Sequence, residues 1–173
     1  MAESDDRDEV VLEHPNRDKA SSKLARVLVV VLLLASAALV AIISLGGWSA
    51  LEGAKPLQLI YIVIYLVLAF FVLRWSRGVL PMIAAFAIVL AIFGAVAAPG
   101  WFSRDKTGYA TPALPEGVLG LLCALLVPLE LALIVVAMLA FRQGWNVEVE
   151  RPREERDDRG DAPRRGGAQP APA

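Results

Sequence analysis

The sequence contains one acidic side chain inside a long apolar run, a position at which a carboxyl group often has a functional role. Glu130 is at the midpoint of the apolar run Val118–Phe141. A charged side chain at the centre of a bilayer costs about 2.5–3.5 kcal/mol on insertion scales, and such residues often mark functional sites. The carboxyl group can hold helices together through a hydrogen bond, or it can handle a proton or another cation. Because no Lys or Arg lies at that depth, we expect Glu130 to be largely protonated at neutral pH unless water reaches it.

Three hydroxyl groups are the expected hydrogen-bond partners of this carboxyl group. Counting along the apolar runs puts Ser36 and Tyr65 at the midpoints of their own runs, with Tyr61 one helical turn further out. Pro128 frees the carbonyl oxygen four residues before it and predicts a helix kink. The candidate polar cluster is therefore Glu130, Tyr65, Ser36 and Tyr61, beside a kink at Pro128.

The other residue types that commonly build active sites are scarce. The single histidine, His14, is in the N-terminal segment, and the single cysteine, Cys123, is inside an apolar run. A metal site needs several His, Cys or carboxylate ligands, and nucleophilic catalysis needs a hydroxyl or thiol beside a base. Neither pattern occurs in the apolar runs, and we find no glycine-rich phosphate-binding loop. We therefore expect no catalytic residue, no metal ion and no cofactor, and we expect that the protein is not an enzyme.

The elements that carry these residues are four long apolar runs. The chain has 173 residues, of which 57% are hydrophobic and 20% charged, whereas soluble domains average about 45–50% and about 25%. A bilayer core of about 30 Å takes about 20 helical residues, and the predicted spans are about 27–45, 57–73, 79–98 and 118–141. This pattern predicts an all-α membrane protein, a bundle of four transmembrane helices. It excludes a soluble enzyme, and the net charge of -1 argues against a nucleic-acid-binding domain.

Positive charge is distributed unevenly between the two sides of this bundle. With four spans, both tails and the joint between the second and third spans share one side, which holds 14 Lys and Arg residues against 3 on the other. Because cytoplasmic loops carry an excess of Lys and Arg, we expect both termini to be cytoplasmic, in a protein of the cell membrane. All four Trp residues fall at span ends, where membrane interfaces favour them.

The first span has one feature of a signal peptide. Ala35-Ser36-Ala37 has the small-residue form of a cleavage site. However, the apolar run continues past this point, and the preceding region is long and acidic, unlike the short basic start of a signal peptide. We therefore expect an uncleaved anchor.

The two ends of the chain differ in composition from the spans. Residues 1–22 are acidic with few large apolar side chains, and residues 146–173 consist mainly of Arg, Asp, Glu, Pro, Gly and Ala. Neither segment can bury enough apolar surface to fold alone, so both are predicted to be disordered tails around a membrane domain at 23–145. The alternative is an interaction tail, or a contact with lipid head groups through Lys19, Lys23 and Arg26.

Each span has small or polar residues at helical spacing along one face. On the third span these are Ala84, Ala87, Ala91, Gly94 and Ala98, and on the fourth they are Gly120, Cys123, Val127, Glu130, Ile134 and Ala137. Leucines such as Leu126 and Leu133 are assigned to the opposite side of the fourth span. Small residues let helices approach closely in lipid, so we interpret these faces as the interior of the bundle. A substrate path or an oligomer interface along the same faces is the alternative.

Four spans with one intramembrane glutamate resemble the architecture of the small multidrug-resistance transporters. In that family the glutamate lies on the first helix and the tails are short, so this chain departs from it on both counts. Our leading hypothesis is a non-enzymatic integral membrane protein that is structural or an accessory to membrane partners. The alternative is a small transporter or proton-coupled permease built around Glu130, acting as an oligomer. The expected partners are the lipid bilayer and a second copy or other membrane proteins, with no nucleic acid.

Overall fold

The computed structural model describes residues 10–13, 19–51, 53–104, 110–145 and 149–152. The chain divides into two compact units, one with four long helices and the other with a pair of short strands. Most of the two predicted tails, including His14, lies outside the described residues.

The helical unit contains four long helices within the described part of the chain. They are α1 Ala20–Gly46, α2 Lys55–Leu73, α3 Leu80–Phe102 and α4 Glu116–Arg142. Short 3-10 turns at Trp48–Ala50 and Arg77–Val79 precede α2 and α3. All four helices are long and apolar enough to cross a membrane. The structure therefore confirms four candidate spans at the predicted places.

Some helices extend beyond the predicted apolar runs. α1 begins at Ala20, inside the segment 1–22 that we predict to be a tail, and its first turn is closed when Ser22 and Lys23 donate their backbone N–H groups to the carbonyl oxygen of Lys19. α3 likewise continues through Pro99. Once a helix is nucleated, each further residue other than proline adds a main-chain hydrogen bond. A hydropathy pattern marks only the apolar part of such a helix.

α1 is the most buried of the four helices. In its most apolar stretch 50% of the residues are buried, against 28–33% in the other three helices. α1 packs on α2 and on α4, and α3 packs mainly on α4, whereas the backbones of α2 and α3 come close at few positions. The helical unit therefore consists of two helix hairpins joined through α1 and α4, with a gap between α2 and α3.

The contact between α3 and α4 depends on small side chains. All five small residues predicted along one face of α3 are buried. A Cβ atom added at Gly94 would lie only 3.0 Å from the carbonyl oxygen of Cys123 on α4. The two backbones approach closely at this point because neither helix places a side chain between them.

The buried face of α4 is wider than its sequence pattern indicates. Leu126 and Leu133 are 3% and 0% exposed, while Val127 and Ile134 are only partly buried. Assigning the two leucines to the outer side is therefore wrong. The reason is that α4 packs on both α1 and α3, so its contact surface covers two neighbouring stripes of the helix.

The second unit contains a two-stranded antiparallel sheet. Strand β1, Val10–Glu13, pairs with β2, Val149–Pro152, so that Val10 lies opposite Pro152 and Glu13 opposite Val149. From the composition of each tail alone we expect no regular structure there. Two segments far apart in the sequence can nevertheless pair as strands, because each supplies the main-chain hydrogen-bond partners that the other lacks. The residue pattern within one segment does not reveal which other segment it pairs with.

Candidate functional site

The carboxyl group of Glu130 is sealed inside the helical unit. Glu130 lies near the middle of α4, and its side chain is 0% exposed. The hydroxyl group of Tyr65, near the middle of α2, donates a hydrogen bond of 2.8 Å to Oε2 of Glu130. Tyr65 is itself only 1% exposed. The bond connects two helices that each pack on α1 more than on one another.

Ser36 brings a third helix to the same carboxyl group. It lies near the middle of α1 with 0% exposure, and its hydroxyl group is close enough to interact electrostatically with Glu130. The two groups form no hydrogen bond with each other in the structure, since Oγ of Ser36 and Oε1 of Glu130 are both buried without a hydrogen-bond partner. A proton on Oε1, or a rotation of the serine side chain, would provide the bond that both atoms lack.

Tyr61 lies one helical turn from Tyr65 and belongs to an aromatic cluster. Its ring contacts those of Tyr65, Phe86 and Phe93 edge-on, at centroid distances of 6.0, 6.2 and 6.2 Å. Among the described residues no hydrogen bond joins Tyr61 to Glu130. The structure therefore brings Ser36, Tyr65 and Glu130 together and places Tyr61 beside them as a packing neighbour.

Pro128 is on the outer side of α4. The helix is continuous through this residue, from Glu116 to Arg142. Pro128 is exposed and Glu130 is buried, so the proline ring lies away from the carboxyl group. The kink at Pro128 stays a prediction.

A cavity of about 300 Å³ begins one helical turn from Glu130. It lies in the gap between α2 and α3, toward the end of the helical unit where α2 and α4 begin, which we call the loop end. Its wall is almost entirely apolar, and it includes Tyr61 and Leu126. Glu130, Tyr65 and Ser36 do not line it. Tyr61 and Leu126 thus stand between this cavity and the buried carboxyl group.

The arrangement around Glu130 suits a neutral carboxylic acid. Tyr65 donates to one carboxyl oxygen, and a serine hydroxyl can either donate to the other or accept a hydrogen bond from it. The described Lys and Arg residues lie at helix ends and in the joints, so none balances a carboxylate at this depth. Burying an unpaired charge costs far more than burying a neutral polar group. The site can therefore connect three helices, and it can exchange a proton only if water reaches Oε1.

The described residues contain no cluster suited to a metal ion. No group of three or more His, Cys, Asp or Glu side chains among them could hold one. Cys123 is a buried free thiol on α4 that lines the cavity. We assign no metal ligand and no cofactor ligand in this part of the chain.

The tryptophans are not equivalent, although the sequence places all four at span ends. Trp145 is 0% exposed and Trp101 is 7% exposed, whereas Trp48 is 44% exposed. The ring of Trp145 packs edge-on against Trp75 at 5.4 Å, and its N–H donates to Oε1 of Gln143. Trp145 and Trp101 therefore fill the ends of the helical unit. Their positions in the sequence do not distinguish this packing role from a position at the membrane interface.

The cavity is the feature that sequence reasoning missed. The available signal was that Gln58 and Tyr61 lie three residues apart on α2, on the face of small or polar residues that the helical spacing assigns to the interior of the bundle. Both residues do line the cavity. A gap between helices depends on how they diverge in space, and spacing along one helix carries no information about that.

Comparison with known proteins adds no further constraint. No family model, no curated protein and no solved structure matches this chain.

Proposed function

We propose that the protein is a multi-pass integral membrane protein of the cell membrane, with both termini cytoplasmic. The outer faces of the helices support the membrane location, since large apolar side chains such as Leu45 and Val96 are 71% and 72% exposed. Apolar surface in water costs about 25 cal/mol per Å², and lipid removes that cost. The excess of Lys and Arg on the side of the two tails supports the orientation.

We further infer a structural or accessory role, without catalysis. The observation that carries this proposal is the sealed hydrogen bond between Tyr65 and Glu130. The carboxyl group is fully buried, its bonded partner is a neighbouring helix, and the cavity stops one turn away from it. A carboxyl group in this setting stabilises the arrangement of helices, as polar groups inside membrane bundles do.

The substitution Glu130→Gln tests this role. Glutamine keeps the size of the side chain and can accept the hydrogen bond from Tyr65, but it cannot release a proton. If the carboxyl group is structural, the variant inserts, folds and supports its membrane partners as the wild type does. Retention of the melting temperature together with loss of a pH-dependent activity would contradict the structural role.

A small proton-coupled permease is the second candidate. Two buried atoms favour it, since Oε1 of Glu130 and Oγ of Ser36 have no hydrogen-bond partner. A proton could therefore bind to or leave Oε1 without breaking an existing hydrogen bond. Access of water to this pair would be required for turnover. An apolar carbodiimide that modifies accessible protonated carboxyl groups should label Glu130 quickly in a permease and slowly in a sealed structural site. Glu130→Gln is the control that removes the labelled group.

The proposed partners are the lipid bilayer and either a second copy of the chain or other membrane proteins. The four outer helix faces carry the exposed apolar side chains that such contacts need. Purification of the full chain in a mild detergent, followed by mass measurement and identification of co-purified proteins, distinguishes the two kinds of protein partner. A monomer without co-purifying membrane proteins would argue against an accessory role.

A further inference from the structure

The cavity between α2 and α3 has the length of one bilayer leaflet. It extends along α3 from Leu90 to Trp101, which corresponds to about 16 Å of helix. The hydrocarbon core of a bilayer is about 30 Å thick, so this length is about half of it. The cavity also lies in one half of the helical unit only, between the middle of α3 and the loop end.

The cavity opens sideways, toward the outer surface of the helices. Leu57, Phe93 and Val96 line it and are also 43%, 43% and 72% exposed. Val40 and Cys123 form part of its inner wall and are buried. A hydrocarbon chain can therefore enter between α2 and α3 without crossing a polar barrier. Water is not expected to fill this space, because an apolar wall offers it no hydrogen-bond partners.

One polar atom in the wall of the cavity lacks a partner. Oε1 of Gln58, close to the start of α2, is buried without a hydrogen bond. A buried acceptor in this condition is unfavourable until a donor reaches it. Gln58 is near the loop end, where the ammonium group of Lys55 lies 4.9 Å from the ring centre of Trp48. Its amide is therefore at the depth where the hydrocarbon chain of a lipid meets its polar end.

We propose that this cavity binds one hydrocarbon chain of a lipid whose polar end carries a hydroxyl group that donates to Oε1 of Gln58. The volume of about 300 Å³ is at the lower end of the range for small-molecule sites, about 300–1,000 Å³, which suits a single chain. The apolar walls select the chain, and the Gln58 acceptor selects a donor at its end. The site depends on the proposed membrane location but not on the role of Glu130.

Dodecanol with a bromine atom at the end of its chain is a suitable probe, because bromine quenches tryptophan fluorescence at short range. Trp101 lines the cavity and reports on its occupant. The full chain is placed in lipid nanodiscs and titrated with the probe, and the same titration on Trp101→Phe gives the contribution of the other tryptophans. We expect saturable quenching of the Trp101 signal. Quenching that rises in proportion to probe concentration would overturn the proposal.

Two substitutions separate the chain site from the hydroxyl site. Ala97→Phe fills the cavity and should abolish the saturable component, while Ala85→Phe, at an exposed position of the same helix outside the cavity, should leave it intact. Gln58→Leu should weaken binding of the alcohol by about two- to tenfold. It should not change binding of the methyl ether of the same brominated alcohol, which has no donor.

Each outcome of these titrations bears on one part of the proposal. Equal quenching in Ala97→Phe and wild type would show that the probe binds elsewhere. Equal loss of alcohol and ether binding in Gln58→Leu would show that the residue acts through packing alone, against the assigned hydroxyl contact. Failure of the chain to enter nanodiscs at all would instead contradict the proposed membrane location.

Discussion

Tyr65 on α2 donates a 2.8 Å hydrogen bond to Glu130 on α4, although α2 packs mainly on α1 and α4 packs mainly on α3. The bond spans the interior of the helical unit and connects one helix of each hairpin. A long phenol side chain can bridge a separation at which the two backbones make few contacts. The pair therefore connects the two hairpins at the middle of the unit, where the described residues form no other side-chain hydrogen bond between helices.

The contribution of this hydrogen bond to the free energy of unfolding can be measured with a double-mutant cycle. Tyr65→Phe should destabilise the helical unit by about 1 kcal/mol, as interhelical hydrogen bonds in membrane proteins do. In a Glu130→Leu background the same substitution should be neutral or stabilising, because the tyrosine hydroxyl group is then buried without its acceptor. Reversible unfolding in mixed detergent and SDS, followed by tryptophan fluorescence, provides the free energies. An equal loss in both backgrounds would show that the tyrosine acts only through its ring.

Even a methyl side chain at Gly94 is expected to reduce stability. A Cβ atom there would lie 3.0 Å from the backbone carbonyl oxygen of Cys123, and a backbone atom cannot rotate away. Gly94→Ala should therefore cost about 1–3 kcal/mol. Gly100→Ala, on the same helix with no atom within 4 Å of the added Cβ, should be neutral or slightly stabilising because alanine favours helix. The same unfolding titration checks both, and similar effects at the two positions would contradict the close approach of α3 and α4.

Trp145 and Trp48 should differ sharply in their effect on stability. Trp145 is 0% exposed and packs against Trp75, whereas Trp48 is 44% exposed. Trp145→Ala should cost about 3–5 kcal/mol, since it leaves a large cavity. Trp48→Ala should cost less than about 1 kcal/mol, because truncating a largely exposed side chain opens no cavity of that size. If the two substitutions have the same effect, the end of the helical unit around Trp145 is not packed as described.

The proposed orientation is testable with reporter fusions. A reporter active in the cytoplasm should work after residues 77 and 150, and a reporter active outside should work after residues 52 and 108. Activity of the outside reporter at the C-terminus would overturn the orientation.

The joint between α2 and α3 offers a second test of the orientation. Arg74 is exposed, whereas Nε of Arg77 donates to the carbonyl oxygen of Phe141 at 2.9 Å. Arg74→Glu should therefore weaken the cytoplasmic preference of the joint with little effect on folding. Arg77→Glu should in addition destabilise the contact with α4. An unchanged topology in the Arg74 variant would mean that the tails dominate the orientation.

The sequence by itself determined the number, position and apolar character of the four helices. A period of 3.6 residues and long runs with at most one charge are local properties, and helix formation satisfies most backbone groups within the segment. The same local counting put Ser36, Tyr65 and Glu130 at one depth, because helices that cross the same layer have matching midpoints. The face of small residues on α3 was also predictable from the sequence, since all its members lie at helical spacing.

Only the tertiary structure decided which helices touch. The position of Tyr65 opposite Glu130, the burial of Leu126 and Leu133, and the gap that forms the cavity each depend on the lateral order and divergence of helices. Those are relations between distant segments, and apolar side chains facing lipid and apolar side chains facing another helix look alike in a sequence. The pairing of β1 with β2 has the same origin, because neither strand satisfies its hydrogen bonds without the other.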